Sequence, residues 1–218
     1  MTCCQSSEEE PRRPMRTPFL GFSMAVLGFY ALLWSSQKLF PGGAASTVIL
    51  VLTTFVGIAI VQPGWNIRPS RPVGYWAVLF VLLLSSAALA AFVLRLSKIP
   101  TPYEATSFNF MGLLPGLMAV TAVEELLFRQ VAFRWLEMHG IAGRMVVIPT
   151  AMVFGVAHLG PLLVGGEVAG PFYLLQSLYM VWVGLLLGEL RRVTNSWIIS
   201  WAGHITYNLS VLFLLSGG

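Results

Sequence analysis

Three groups of side chains carry chemistry within otherwise apolar surroundings. Glu124, Glu125 and Arg129 sit in 121–129, Thr-Ala-Val-Glu-Glu-Leu-Leu-Phe-Arg; His158 closes Phe-Gly-Val-Ala-His; His204 and Asn208 stand four apart, on one face of a helix. A carboxylate with a histidine can deprotonate and orient a water. A second histidine with an amide at i+4 offers donors to a developing oxyanion. Together that is equipment for hydrolysing an amide. Glu124, His158 and His204 could instead hold zinc or another divalent metal, because two histidines and a glutamate with one open position form a catalytic ligand set. The spacing leaves both chemistries open.

Each residue also has a plainer reading. A Glu-x-x-x-Arg pair at i, i+4 is ordinary helix support, so Glu125 and Arg129 read as a structural ion pair. Glu124 lies about 100° round the helix from that pair, which makes it the carboxylate left for catalysis. Either histidine alone would read as a packed, hydrogen-bonded residue, and Asn208 alone as interhelical glue. His139 reads as interfacial, Glu189 as a solvated helix end, Glu167 as a loop charge and Phe154 as packing. At a bilayer centre each ionised side chain costs roughly 2.5–3.5 kcal/mol on insertion scales, so charges kept there point to function.

The elements that must position these groups are helices in a membrane. The chain has 218 residues, 56% hydrophobic and 10% charged, with a mean hydropathy of +0.77. Soluble domains carry about a quarter charged residues. The formal charge of +4 calls for no nucleic acid, since the arginines are spread over loops. Cys3 and Cys4 are the only cysteines, which excludes a disulfide framework.

Residues 1–17 read as a disordered cytoplasmic tail, and 18–218 as an all-α, polytopic membrane bundle of about seven spans. N-terminal helices occupy 18–110, with spans at 18–40, 44–61 and 73–96; a catalytic core occupies 111–218. The fourth span is expected to begin near Pro115, a residue suited to a first helical position, and to end at a Gly140 cap. The fifth is expected over 144–159, the sixth over 171–190 and the seventh over 196–215. With the N-terminus inside, Arg12, Arg13, Arg16, Arg68, Arg71, Arg134, Arg144, Arg191 and Arg192 are cytoplasmic, while Lys38, Arg95 and Lys98 are outside. At 1.5 Å per residue, Glu124 and His158 lie roughly 22 and 21 Å from the inner ends of their helices, and His204 roughly 15 Å. The three groups share one slab of the bilayer and can converge.

In this order the three motifs resemble those of the CPBP intramembrane protease family, which includes type II CAAX prenyl proteases and bacteriocin-processing or immunity (Abi) proteins. The resemblance covers roughly 115–215. It implies that Glu124 and His158 activate the water, that His204 and Asn208 stabilise the oxyanion, and that Glu125 and Arg129 hold the site together. It further implies an endopeptidase in the cell (inner or plasma) membrane acting on a membrane-associated peptide or protein, with CAAX-type C-terminal processing as one form. The family is often labelled metalloprotease, but the resemblance favours a glutamate-activated water without a tightly bound metal. A non-proteolytic binding or immunity factor is the alternative, and a proton-coupled transporter a third; against the transporter, there is no inverted repeat and no pair of broken helices.

Overall fold

The computed structural model of the chain describes residues 73–99, 110–160 and 170–216, together with residue 162 and parts of 51–59. The tail, the first expected span and most of the second lie outside the described residues, as does Glu167. No strand occurs among the described residues. Helix α1 is Val73–Ser97, α2 Phe110–Glu125, α3 Phe133–Met138, α4 Arg144–Ala157, α5 Gly170–Thr194 and α6 Trp197–Ser216. A π-helical segment, Leu126–Ala132, joins α2 to α3 without a break.

Among the described residues three stretches, Trp76–Ser97, Gly170–Thr194 and Trp197–Leu215, are long and apolar enough to cross a membrane. They correspond to the expected third, sixth and seventh spans. Their outer faces present large apolar side chains such as Val78, Phe92, Leu178 and Phe213, as a helix facing lipid requires.

The fourth and fifth expected elements differ from expectation. The fourth span begins at Phe110, so that Pro115 lies inside the helix as its sixth residue, past the four N–H groups that lack intrahelical partners, and removes one main-chain hydrogen bond. The fifth expected span is a helix of 14 residues. That is about 21 Å, short of a hydrocarbon core of about 30 Å. It ends at Ala157 with His158 as its cap. Gly140, by contrast, takes the expected capping role, with φ of 80° just past the end of α3.

The bundle is drawn together by small residues and by buried polar pins. A Cβ on Gly155 would meet Val181 Cγ2 at 2.3 Å, one on Gly184 would meet Ala151 Cα at 3.0 Å, and one on Gly188 would meet Val147 Cγ1 at 2.8 Å. These contacts set α4 antiparallel to α5 at close range, the small-residue packing that replaces the hydrophobic effect in lipid. Ser177 Oγ donates to the Gly155 carbonyl at 2.7 Å across the same seam. Tyr179 and Trp182 of α5 pin α1 through the Ser86 carbonyl and hydroxyl.

Between α5 and α6 only Asn195 and Ser196 intervene, and Asn195 takes a left-handed conformation with φ of 54°. The expected end of the sixth span at 190 is therefore passed by one further turn, which carries Arg191 into the interior. Arg191 donates to the Arg129 carbonyl at 2.9 Å and to Asn195 Oδ1 at 2.7 Å. Nor is Glu189 a solvated helix end: it is half-buried and bridges Arg192 of its own helix and Arg144 of α4.

Candidate active site

The site is assembled where the π segment, the C-terminal cap of α4 and the middle of α6 meet. A π turn adds a residue to the helical repeat and is common at functional sites. Here it follows directly on the two adjacent carboxylates, whose side chains part company. Glu125 is fully buried against α6, while Glu124 retains 18% exposure and lines a cavity.

Three groups hold Glu125. Ser200 Oγ donates to Oε2 at 2.6 Å, His204 Nδ1 stands 3.0 Å from Oε1, and Arg129 Nε lies 3.5 Å from Oε2. Arg129 is itself fully buried, its guanidinium 4.9 Å from the centre of the Phe154 ring and within reach of the Gly184 carbonyl at 3.4 Å. The expected structural pair is thus present, with a further consequence: Glu125 also orients His204. An ionised carboxylate only accepts, so Nδ1 of His204 carries the proton and Nε2 is left for other partners. Nε2 lies 3.9 Å from Glu124 Oε2.

His158 is oriented in the same manner by a different acceptor. Its Nδ1 stands 2.8 Å from the Phe154 carbonyl, which can only accept, so Nδ1 donates and Nε2 is the basic nitrogen. The Phe154 ring packs edge-on against His158 at 4.8 Å and against His204 at 5.7 Å, with Phe128 behind it at 5.1 Å. Phe154 is packing, as expected, but packing that spaces the two histidines and covers Arg129.

A cavity of about 450 Å³ joins these groups. Glu124, His158, His204 and Asn208 all line it, together with Thr121, Gln176 and Tyr179 and apolar side chains of α1, α2, α5 and α6. The four residues expected to act together are brought to one space, and Glu125 and Arg129 lie behind them. His139 stays apart, exposed and stacked on Trp135 at 4.3 Å.

Ser200 escaped the reading of the sequence. Its signal was a hydroxyl one turn ahead of His204 on an apolar helix, the position from which it shares a face with the histidine. The donor set does not favour a metal: among the described residues no three His, Cys, Asp or Glu side chains are grouped to hold an ion. No step is therefore routed through one.

Residues 105–210 match a family model, that of the type II CAAX prenyl endopeptidases described as Rce1-like. Over these residues the chain is similar to the Rce1-like family. The match spans all three motifs and every residue around the Glu125 carboxylate. No curated protein and no solved structure matches the chain. The Rce1-like family is one of proteases, and the match agrees with described residues that are all helical and include helices long and apolar enough to cross a membrane.

Proposed function

We propose that this chain is an intramembrane endopeptidase of the cell (inner or plasma) membrane, with about seven spans and its N-terminus in the cytoplasm. It cleaves a peptide bond of a membrane-associated protein or peptide. The observation that carries this reading is the single cavity lined by Glu124, His158, His204 and Asn208, with one histidine fixed by Glu125 and the other by a main-chain carbonyl.

A water between the Glu124 carboxylate and His158 Nε2 loses its proton to one of them as its oxygen attacks the scissile carbonyl carbon. The carbonyl π pair moves to oxygen. Asn208 donates its amide N–H to that oxyanion. For His204 to donate from Nε2 as well it must carry both ring protons. Collapse of the tetrahedral intermediate returns the proton to the leaving amine and breaks the C–N bond. Donors fixed in a water-poor site are worth far more than the same groups in water. Arg129 and Ser200 act at one remove, by holding Glu125.

The test is a comparison of protein termini in host membranes carrying the wild type or Glu124→Gln at matched levels. Peptide ends that depend on the wild type identify proteolysis and its substrate together. Identical ends, with the biological effect retained by Glu124→Gln, would leave the cavity as a binding site and refute the endopeptidase reading.

A further inference from the structure

The cavity occupies one half of the bundle's depth, and the helix directions say which. Helices α1 and α6 finish at the same end, where Arg95 donates to the Leu214 carbonyl. The pairing of Gly155 with Val181, Ala151 with Gly184 and Val147 with Gly188 runs α4 antiparallel to α5. In that register the cavity-lining part of α5, 172–180, lies level with the C-terminal end of α4 and beyond it. On α6 the lining runs from His204 to Leu215, about 16 Å along the axis. The catalytic groups thus form the floor of a slot that extends towards the end where α1 and α6 finish.

The opposite end carries the arginines. Arg134, Arg144 and Arg192 are exposed or half-exposed there, and the sequence places Arg68 and Arg71 just ahead of α1. At the slot's end the described residues provide Arg95 and Lys98. By the positive-inside rule the arginine end is cytoplasmic. The slot's walls are largely apolar, with Leu89, Val93, Leu117, Val211, Leu212 and Leu215 among them. Among the described residues the lining includes no lysine or arginine. A tail presented from the cytoplasm would approach from the arginine end and bring a free carboxylate for which this lining has no fixed cation. An apolar segment already in the membrane needs neither that route nor that partner.

We propose that the site is loaded from the non-cytoplasmic half of the bilayer, by an apolar stretch of a membrane protein that is cut internally. The proposal rests on the endopeptidase reading, but its first test needs no cleavage. In the full chain with Cys3 and Cys4 replaced by serine, single variants Gln176→Cys, Leu212→Cys, Lys98→Cys and Arg144→Cys are treated with a membrane-impermeant maleimide in right-side-out vesicles, before and after permeabilisation. Lys98→Cys and at least one cavity variant should label before permeabilisation, and Arg144→Cys only after it. Cavity variants that label together with Arg144→Cys overturn the proposal. So does failure of both cavity variants to label from either side while detergent-solubilised protein labels. In the terminus comparison, wild-type-dependent ends should map to apolar segments in the non-cytoplasmic half; ends confined to cytoplasmic C-terminal tails overturn the substrate assignment even if labelling succeeds. No cleavage at all would sink the endopeptidase reading and the substrate with it, while the labelling still reports the open face.

Discussion

Where α4 lies against α5, glycines bring the backbones so close that a single added methyl has no room, and a buried ion pair and an interior arginine fill what remains. Where α1, α5 and α6 continue past the end of α4, the same bundle holds a cavity of about 450 Å³ lined by leucines and valines. The proposed catalytic groups stand on the boundary between these two halves. This division allows rigid positioning and substrate space in one small bundle: His204 is fixed from behind by Glu125, and its free nitrogen faces the open side. Substitutions in the packed half should cost stability first, and those on the cavity wall activity first.

The sharpest contrast should come from the two adjacent glutamates. Glu124→Gln is expected to lower the cleavage rate by about 10²–10⁴-fold, the usual contribution of a general base, with an unfolding midpoint in detergent close to that of the wild type. Arg129→Leu should do the reverse in kind. It leaves the fully buried Glu125 without its cation, a loss of about 3–5 kcal/mol for a broken buried pair. Thermal unfolding in detergent measures it directly. An Arg129→Leu variant as stable as the wild type would mean that the packed half is not held by this pair.

Next in size is the glycine seam. Gly155→Ala places a methyl against Val181 and the Ser177 backbone, and overpacking of this kind costs about 1–3 kcal/mol. Gly116→Ala, on α2 with nothing within 4 Å of the added carbon, should be neutral or slightly stabilising because alanine favours a helix. Equal midpoints for the two variants would remove the distinction between the two halves.

Much of this was legible in the sequence, for a physical reason. Polar and ionisable groups in an apolar chain are costly, so Glu124, Glu125, Arg129, His158, His204 and Asn208 stood out as candidates by type, and helix rise alone put Glu124, His158 and His204 at a common depth. Span boundaries proved less legible. Hydropathy reads apolar residues without regard to where a helix stops, so the fifth element was expected over 144–159 whereas its helix ends at Ala157. Arg191 looked like a cytoplasmic flank, yet it is buried because the turn at Asn195 comes one helical turn later than the charges suggested. The partners of Glu125 were only half visible. Arg129 follows from i, i+4 spacing, whereas Ser200 is brought to it by the packing of α6 against the end of α2.

Ser200 stands at the boundary and should show a small effect of both kinds. Its hydroxyl is the 2.6 Å donor to Glu125 Oε2 and lies 3.0 Å from the Leu187 carbonyl. Removing a single donor leaves Glu125 with His204 and Arg129, so Ser200→Ala should cost about 1 kcal/mol of stability, in the range of one net hydrogen bond. Oε2 would then be held by Arg129 alone at 3.5 Å, and the histidine that the carboxylate orients would be aimed less rigidly. A fall in cleavage rate of about tenfold, at unchanged substrate affinity, is therefore expected beyond what the stability loss explains. Ser200→Thr keeps the hydroxyl and should recover the rate if the added methyl is accommodated beside Leu187. Should Ser200→Ala lose stability alone and cut at the full rate, the orientation of His204 would have to come from Arg129 and the Phe154 ring instead.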